Sequence, residues 1–238
     1  MKSREEHVAA SSNYYNYPPS INACQTLLYV KCTGDFYYEP EYDLYRTSFD
    51  SYLLEVILEG NVIIETQGER YEASKGQVVL LDCYKPHRYY SSTGWHALRV
   101  HFDGVGAEGY YSWIKRTNGI VFQTRNMSQV QRSLNAIYGM FHKKCTPNEP
   151  QMALDLTSAL TALMEPAGMP GAPRKSSKAL DRVLFYINEN IDKAITVSDL
   201  ARIANFSEYH FIRRFRDAVG MTPGSTSSRC AWTTRNIC

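Results

Sequence analysis

The run Arg213-Arg214-Phe215-Arg216 puts three arginines into four residues of a chain whose formal net charge is only +2. Basic charge that is local rather than spread over the surface points to one anionic partner at one place, and double-stranded DNA fits such a cluster. A guanidinium at 213 can present a bidentate fork to guanine, and one at 216 suits a phosphate. An arginine-rich helix alone is more often a solvated face. The segment ahead of it, Asp199 to Ser207, moves the reading to DNA. A second candidate group is Tyr89-Tyr90 with Arg46. A sugar site needs aromatic faces for C–H surfaces and charged or amide groups for hydroxyls. Each of the eighteen tyrosines taken singly reads as a strand residue with a packed ring and a wet hydroxyl, but this cluster reads as ligand-binding.

The remaining chemistry is sparse. Six cysteines (Cys24, Cys32, Cys83, Cys145, Cys230, Cys238) show no C-x-x-C spacing, so neither a zinc site nor a redox dithiol is signalled. They read as free thiols in a reducing cytosol. No nucleophile elbow, phosphate-binding loop or dinucleotide fingerprint is present. His96 and His101 fall on opposite faces of one strand, which argues against shared metal coordination. No catalytic residue, metal or cofactor is expected.

These groups need elements to hold them. The chain is long enough for one large domain or two small ones, and 44% hydrophobic with 21% charged residues supports a buried core. Residues 1–20, charged and then tyrosine-rich, read as a flexible arm without a signal-peptide core. From about Ile21 to Phe102 the pattern is β. Tyr52 to Glu59 is strand-forming, Gly60-Asn61 reads as a turn, and Val62 to Thr66 follows. A turn at Gln67-Gly68-Glu69, a strand at 70–72, a break at Lys75-Gly76 and a strand at 77–82 continue the pattern. Such spacing belongs to a sandwich or barrel, placed at 21–125. On the last strand, Trp95, Ala97, Arg99 and His101 share one face, and His96, Leu98, Val100 and Phe102 the other.

Met127, Val130, Leu134, Ile137, Tyr138 and Phe141 recur at helical spacing, and a second helix is expected over about 151–165 after the interruption Thr146 to Pro150. This pair, 126–165, is assigned to dimerisation, packing on the barrel, on a twin subunit or on both. The Pro/Gly-rich and basic stretch 166–178 reads as a linker. Beyond it, Leu180, Val183, Leu184 and Ile187 make one helical face. Thr196 with Asp199 signals a helix start, Asn205-Phe206 a short turn, Ser207 the next N-cap, and Gly220 with Pro223 a stop. Helix, turn, helix is a DNA-reading layout whose second helix enters the major groove, with Phe211 and Phe215 facing inward.

The segment from Ile195 to Pro223 resembles the first helix-turn-helix of the AraC/XylS family. The marks are the Leu-Ala pair, the Ser opening the second helix, His-Phe-x-Arg-x-Phe, and Gly-Met-Thr-Pro. By that resemblance Tyr209, Ile212 and Arg213 face the bases, with Ser207 and Arg216 beside them. The family continues into a linking helix and a second helix-turn-helix, whereas residues 225–238 have no apolar period and no family look. Restoring one base before Ser225 can yield Gly-Glu-Tyr-Ile-Lys-Pro-Leu-Arg, which the family would have there, so the tail is read as a frameshift product. The β region resembles the family's cupin-like sensor, through Gly76-Gln-Val-Val-Leu-Leu, Pro86-His-Arg-Tyr-Tyr and Trp95 to Gly104. That resemblance implies a small polar effector, often a sugar, approached by Arg46, Tyr89, Arg99 and His101. Arg99 stands where the arabinose-sensing type has an aromatic residue, which speaks against arabinose. Metal-holding cupins carry His-x-His in the stretch that here runs from Gly60 to Gly76 without a histidine.

The expected protein is therefore α+β: a cupin-like barrel, a helix pair, and a small helix-turn-helix domain at 179–224. It is read as a cytoplasmic, homodimeric, ligand-responsive DNA-binding regulator with no membrane partner. Two alternatives stay open: a metal-dependent cupin enzyme such as a sugar isomerase, and a truncated regulator that dimerises without holding DNA.

Overall fold

A computed structural model describes residues 5–143, 146–166, 177–190 and 195–219. The chain divides into two compact units, residues 1–167 and 168–238. Among the described residues no helix is long and apolar enough to cross a membrane.

The first unit is β-rich, and all its strand pairs are antiparallel. One sheet runs β1 (Asn13–Asn16), β2 (Leu28–Tyr38), β8 (Trp95–Gly104), β4 (Tyr52–Thr66), β6 (Val78–Asp82) and β9 (Val121–Phe122). A second group joins β3 (Tyr42–Arg46) to β7 (His87–Ser91), β7 to β4, and β4 to β5 (Glu69–Ser74). Strand β4 thus belongs to both. Its first half pairs with β6 and β8, and its second half with β5 and β7.

That crossing corrects the turn expected at Gly60-Asn61. The strand does not reverse there; it shifts register between Ile57 and Glu59 and bends. Gly60 has φ +73°, and a Cβ on it would sit 2.3 Å from the Gly94 carbonyl oxygen. A bulge and a glycine let one long strand turn a barrel corner. At Gln67-Gly68 the chain does reverse, with φ +53° and +80° on the two loop residues. Positive φ at both is the two-residue geometry that matches strand twist.

The alternation along β8 sorts side chains as its sequence implies. Leu98, Val100 and Phe102 enter one apolar core with Leu54, Val56 and Leu80. Trp95 and Ala97 enter a second core with Phe36, Tyr38, Leu53 and Ile64. The first core is closed by helices. Helix α3 (Met127–His142) contributes Val130, Leu134 and Ile137, and α4 (Glu149–Leu163) contributes Met152, Leu156 and Leu160. The pair therefore covers the sheet. Helix α4 begins inside the stretch expected to interrupt: Asn148 Oδ1 accepts from the Gln151 N–H at 3.0 Å, and Pro150 occupies the first turn. Proline is tolerated there because that N–H has no intrahelical partner.

Three elements differ from the sequence-based reading. Residues 21–26 form a short helix, α1 (Ile21–Thr26), capped by Ser20, rather than β structure. Helix α2 (Ala107–Asn118), bracketed by Gly106 and Gly119, lies within the span assigned to the barrel. The amino-terminal segment, expected as a flexible arm, is tied down from Glu5 onward. Val8 bridges Tyr38, and β1 pairs with β2. The Glu149 carboxylate accepts from the Ser20 N–H and Oγ, both at 2.6 Å, and from Tyr17 Oη at 3.1 Å. Those bonds hold the Glu149 carboxyl below its ordinary pKa.

The second unit has its own core of Ala179, Val183, Ile195, Leu200, Ala201, Ala204, Phe211 and Phe215. Its helices are α5 (Ser177–Glu189), α6 (Val197–Ala204) and α7 (Glu208–Val219). Thr196 Oγ1 accepts from the Asp199 N–H at 3.1 Å, and the Asp199 carboxylate accepts from the Thr196 N–H at 3.2 Å. This reciprocal capping box starts α6. Asn205, left-handed at φ +58°, ends it, and the Phe211 N–H donates to the Ser207 carbonyl at 2.8 Å as α7 begins. The side chains of Leu180 and Leu184, most of the linker, the stop at Gly220-Pro223 and the tail at 225–238 lie outside the described residues.

Candidate functional site

The barrel encloses a cavity of about 230 Å³ lined by Glu5, Tyr14, Asn16, Cys32, Phe36, Arg46, Phe49, Arg99 and His101. Drug-sized pockets run to roughly 300–1,000 Å³, so this one suits a small occupant. The inward face of β8 supplies Arg99 and His101, β2 supplies Cys32 and Phe36, and Arg46 ends β3. Glu5, Tyr14 and Asn16 arrive from the amino-terminal segment.

Arg99 is buried, and its guanidinium lies over the Phe36 ring at 4.0 Å and near Tyr38 at 5.5 Å. Its Nε is enclosed without a hydrogen-bond partner, and Arg99 forms no ion pair among the described residues. Burial alone would lower its pKa, but Tyr38, Tyr89, Glu55 and Cys32 outweigh that and the net shift is upward. Arg99 is therefore a permanent buried cation. Glu55 faces it across the β4–β8 ladder, but its carboxylate accepts from Trp95 Nε1 at 3.0 Å. Burial raises the Glu55 pKa against the pull of Arg99 and Trp95.

Arg46 lies 5.1 Å from the Phe49 ring centroid and 3.6 Å from a Glu5 carboxylate oxygen. His101 Nδ1 shares a 2.9 Å hydrogen bond with Ser51 Oγ, and its ring meets Phe49 edge-on. Burial first, then the charges of Arg99 and Arg46, push its pKa well below the ordinary value, so it is neutral. His96, on the opposite face, pairs with Asp35 at 2.7 Å and stacks on Tyr37. Among the described residues no group of three or more histidine, cysteine, aspartate or glutamate side chains could hold a metal ion.

Of the four effector candidates, the structure brings Arg46, Arg99 and His101 to the cavity. Tyr89 does not line it. Its ring is buried in the second core, with an unpartnered Oη beneath Arg99 and Arg46, whose charges it senses. Alternation along β7 turns Tyr89 inward but does not fix how deep it sits. Sequence reasoning missed Glu5, Tyr14 and Asn16, because a polar arm gives no sign of which pocket it crosses. It missed Cys32, Phe36 and Phe49 because each reads as an ordinary strand or loop residue.

In the second unit, Tyr209, Ile212, Arg213 and Arg216 are exposed and spaced along one face of α7. Phe211 and Phe215 occupy the opposite, fully buried face. Ser207 caps the helix loosely, its Oγ accepting from the His210 N–H at 3.5 Å. Arg214 turns aside over the Phe206 ring at 5.5 Å. Two exposed guanidiniums, a tyrosine hydroxyl and an apolar side chain on one convex face make a surface able to meet base edges and phosphates.

A cupin-like barrel with a buried polar pocket, and a helix-turn-helix with a basic exposed face, define a sensor joined to a DNA-reading module. The family model for the AraC-like ligand binding domain matches residues 33–164, more than half of the chain. The model for bacterial regulatory helix-turn-helix proteins of the AraC family matches residues 187–226. The chain belongs to the AraC family, and is a ligand-responsive, DNA-binding transcription regulator. A sequence comparison with curated proteins finds no match. Among solved structures, the AraC-like transcriptional activator CuxR is similar at 12% identity, covering 82% of this chain and 72% of that one, with a TM-score of 0.45. The plu4264 protein from Photorhabdus luminescens is similar at 16% identity over 48% of this chain and 91% of that one, with a TM-score of 0.34. The Cupin_2 domain of an XRE family transcriptional regulator from Enterobacter cloacae is similar at 16% identity over 38% and 95%, with a TM-score of 0.30. At those scores the assignment rests on the family models.

Proposed function

We propose that the barrel cavity binds a small polar effector of sugar size, and that Arg46, Arg99 and His101 are its polar contacts. The observation that carries this reading is Arg99: a buried guanidinium lining the cavity with an unpartnered Nε. Buried polar atoms are ordinarily satisfied, so such an atom beside a cavity suits a bound polar molecule. Phe36 and Phe49 offer apolar faces to its C–H surfaces.

The exposed face of α7 reads the operator, with Tyr209, Ile212 and Arg213 toward base edges, and Ser207 and Arg216 toward the backbone. The outer face of the helix pair, where Leu154 stays exposed, serves pairing with a second copy. The effector acts by favouring one of two arrangements of the regulator, so effector and operator affinities are coupled in both directions.

A thermal-shift screen of the purified protein against sugars and sugar acids, with a divalent-metal series alongside, tests the reading. An effector at a hundred times its Kd should raise the sensor Tm by roughly 5–10 °C. Stabilisation by metal alone would move the barrel toward enzymatic chemistry and overturn it.

A further inference from the structure

We propose that the effector is an anion, a small hydroxy-carboxylate such as a sugar acid, whose carboxylate sits between Arg99 and Arg46. The inference rests on the pocket reading above and adds the charge of the occupant.

Two guanidiniums line a cavity of about 230 Å³, and among the described residues that line it Glu5 is the only acid. Lys31 adds a third positive charge nearby, 6.0 Å from the Phe49 ring centroid, with its Nζ donating to the Asp50 carbonyl at 2.5 Å. His101 is held neutral and adds a polar atom without charge. Glu55, the carboxylate nearest in the ladder, is engaged by Trp95 and does not pair with Arg99. Glu5 thus pairs with Arg46, Glu55 acts on Arg99 only at a distance, and Arg99 is left without an ion-pair partner among the described residues. A neutral sugar would leave the buried Arg99 without an ion-pair partner, whereas an anion supplies one. The planar guanidinium fork fits a carboxylate through two parallel hydrogen bonds.

The chain itself shows how a carboxylate seats there. Glu5 reaches over the cavity to Arg46 at 3.6 Å and accepts from Tyr42 Oη at 3.0 Å. Glu5 is then an internal competitor, which an effector carboxylate displaces from Arg46.

Isothermal titration calorimetry on the full chain tests this, with D-gluconate, D-galacturonate, glycerate and malate against D-glucose, D-galactose and inorganic phosphate. At least one acid should bind about tenfold or more tightly than the neutral sugars, the difference expected for charge-assisted hydrogen bonds. Arg99→Met and Arg46→Gln should each weaken that acid by about tenfold or more, and Glu5→Gln should tighten it. If Arg99→Met fails to fold, Arg46→Gln and Glu5→Gln decide the matter. Neutral sugars binding as tightly as the acids, with no loss in Arg46→Gln, would overturn the carboxylate and leave the pocket reading standing. Phosphate binding more tightly than every acid would also overturn it. Binding by none of the probes would overturn both.

Discussion

Replacing Gly60 by alanine tests how one strand serves both sheets around the pocket. Gly60 has φ +73°, and an added Cβ would meet the Gly94 carbonyl oxygen at 2.3 Å and the Trp95 Cα at 2.8 Å. Both are backbone atoms, so no side chain can swing away. A left-handed alanine costs about 1–2 kcal/mol. Reduced freedom of the unfolded chain returns roughly 0.4–1 kcal/mol. Relieving the contact resembles overpacking, which costs about 1–3 kcal/mol. A net loss near 3 kcal/mol lowers the Tm of a unit this size by roughly 6–12 °C. Gly68 is the control. It has φ +80°, but nothing lies within 4 Å of its would-be Cβ, so Gly68→Ala incurs the conformational cost alone. Its Tm should fall by about 6 °C or less. Thermal melts followed by near-ultraviolet circular dichroism read both variants. Equal shifts would refute the argument from the close approach, and no shift in either would refute the argument from backbone strain.

Acid should weaken the sensor, because burial lowers the pKa of His101 and of His87. Below about pH 6.5 the unfolded chain takes up protons that the folded chain refuses, so stability falls by up to about 1.4 kcal/mol per pH unit for each histidine. Glu55, raised by burial, acts in the opposite sense above its ordinary 4.5. Urea titrations between pH 7 and 5.5 should show the loss, and His101→Asn should flatten the dependence; a profile unchanged by that substitution counts against a neutral buried His101. Thr196→Ala removes the α6 cap and should destabilise the second unit by about 1 kcal/mol, leaving effector binding unchanged. A chemical melt that shows no change would mean the cap contributes nothing. Arg216→Ala should weaken all duplexes alike and reduce the salt slope by about one, whereas a loss confined to one sequence would assign it to a base instead.

The second unit was the more legible half. Thr196-x-x-Asp199 is a capping box, and the four-residue spacing of Phe211 and Phe215 marks the buried face. Local periods and caps decide such elements, so short sequence windows carry them. In the barrel, alternation placed Arg99 and His101 on the same inward face, but depth and closure come from distant strands. Alternation alone therefore points Tyr89 at the pocket, whereas it packs in the second core, and the local pattern makes Gly60 a turn rather than a bend. Helix α2 falls inside the span that reads as barrel, although Ala107, Tyr111 and Ile114 follow helical spacing between two glycines. Glu5 could not be found at all. Its place depends on the Val8–Tyr38 bridge and on the Glu39 N–H donating to the His7 carbonyl, and nothing in a polar arm announces those contacts.

Sequence-selective DNA binding through α7 is tested most directly by selection from a random duplex pool with the purified protein. One enriched sequence is expected, its preference relaxing at a single position by about 1–3 kcal/mol in Arg213→Ala, with the melting curve unchanged because Arg213 is exposed. A pool without enrichment, or an Arg213→Ala variant that selects the same sequence with the same affinity, would contradict it.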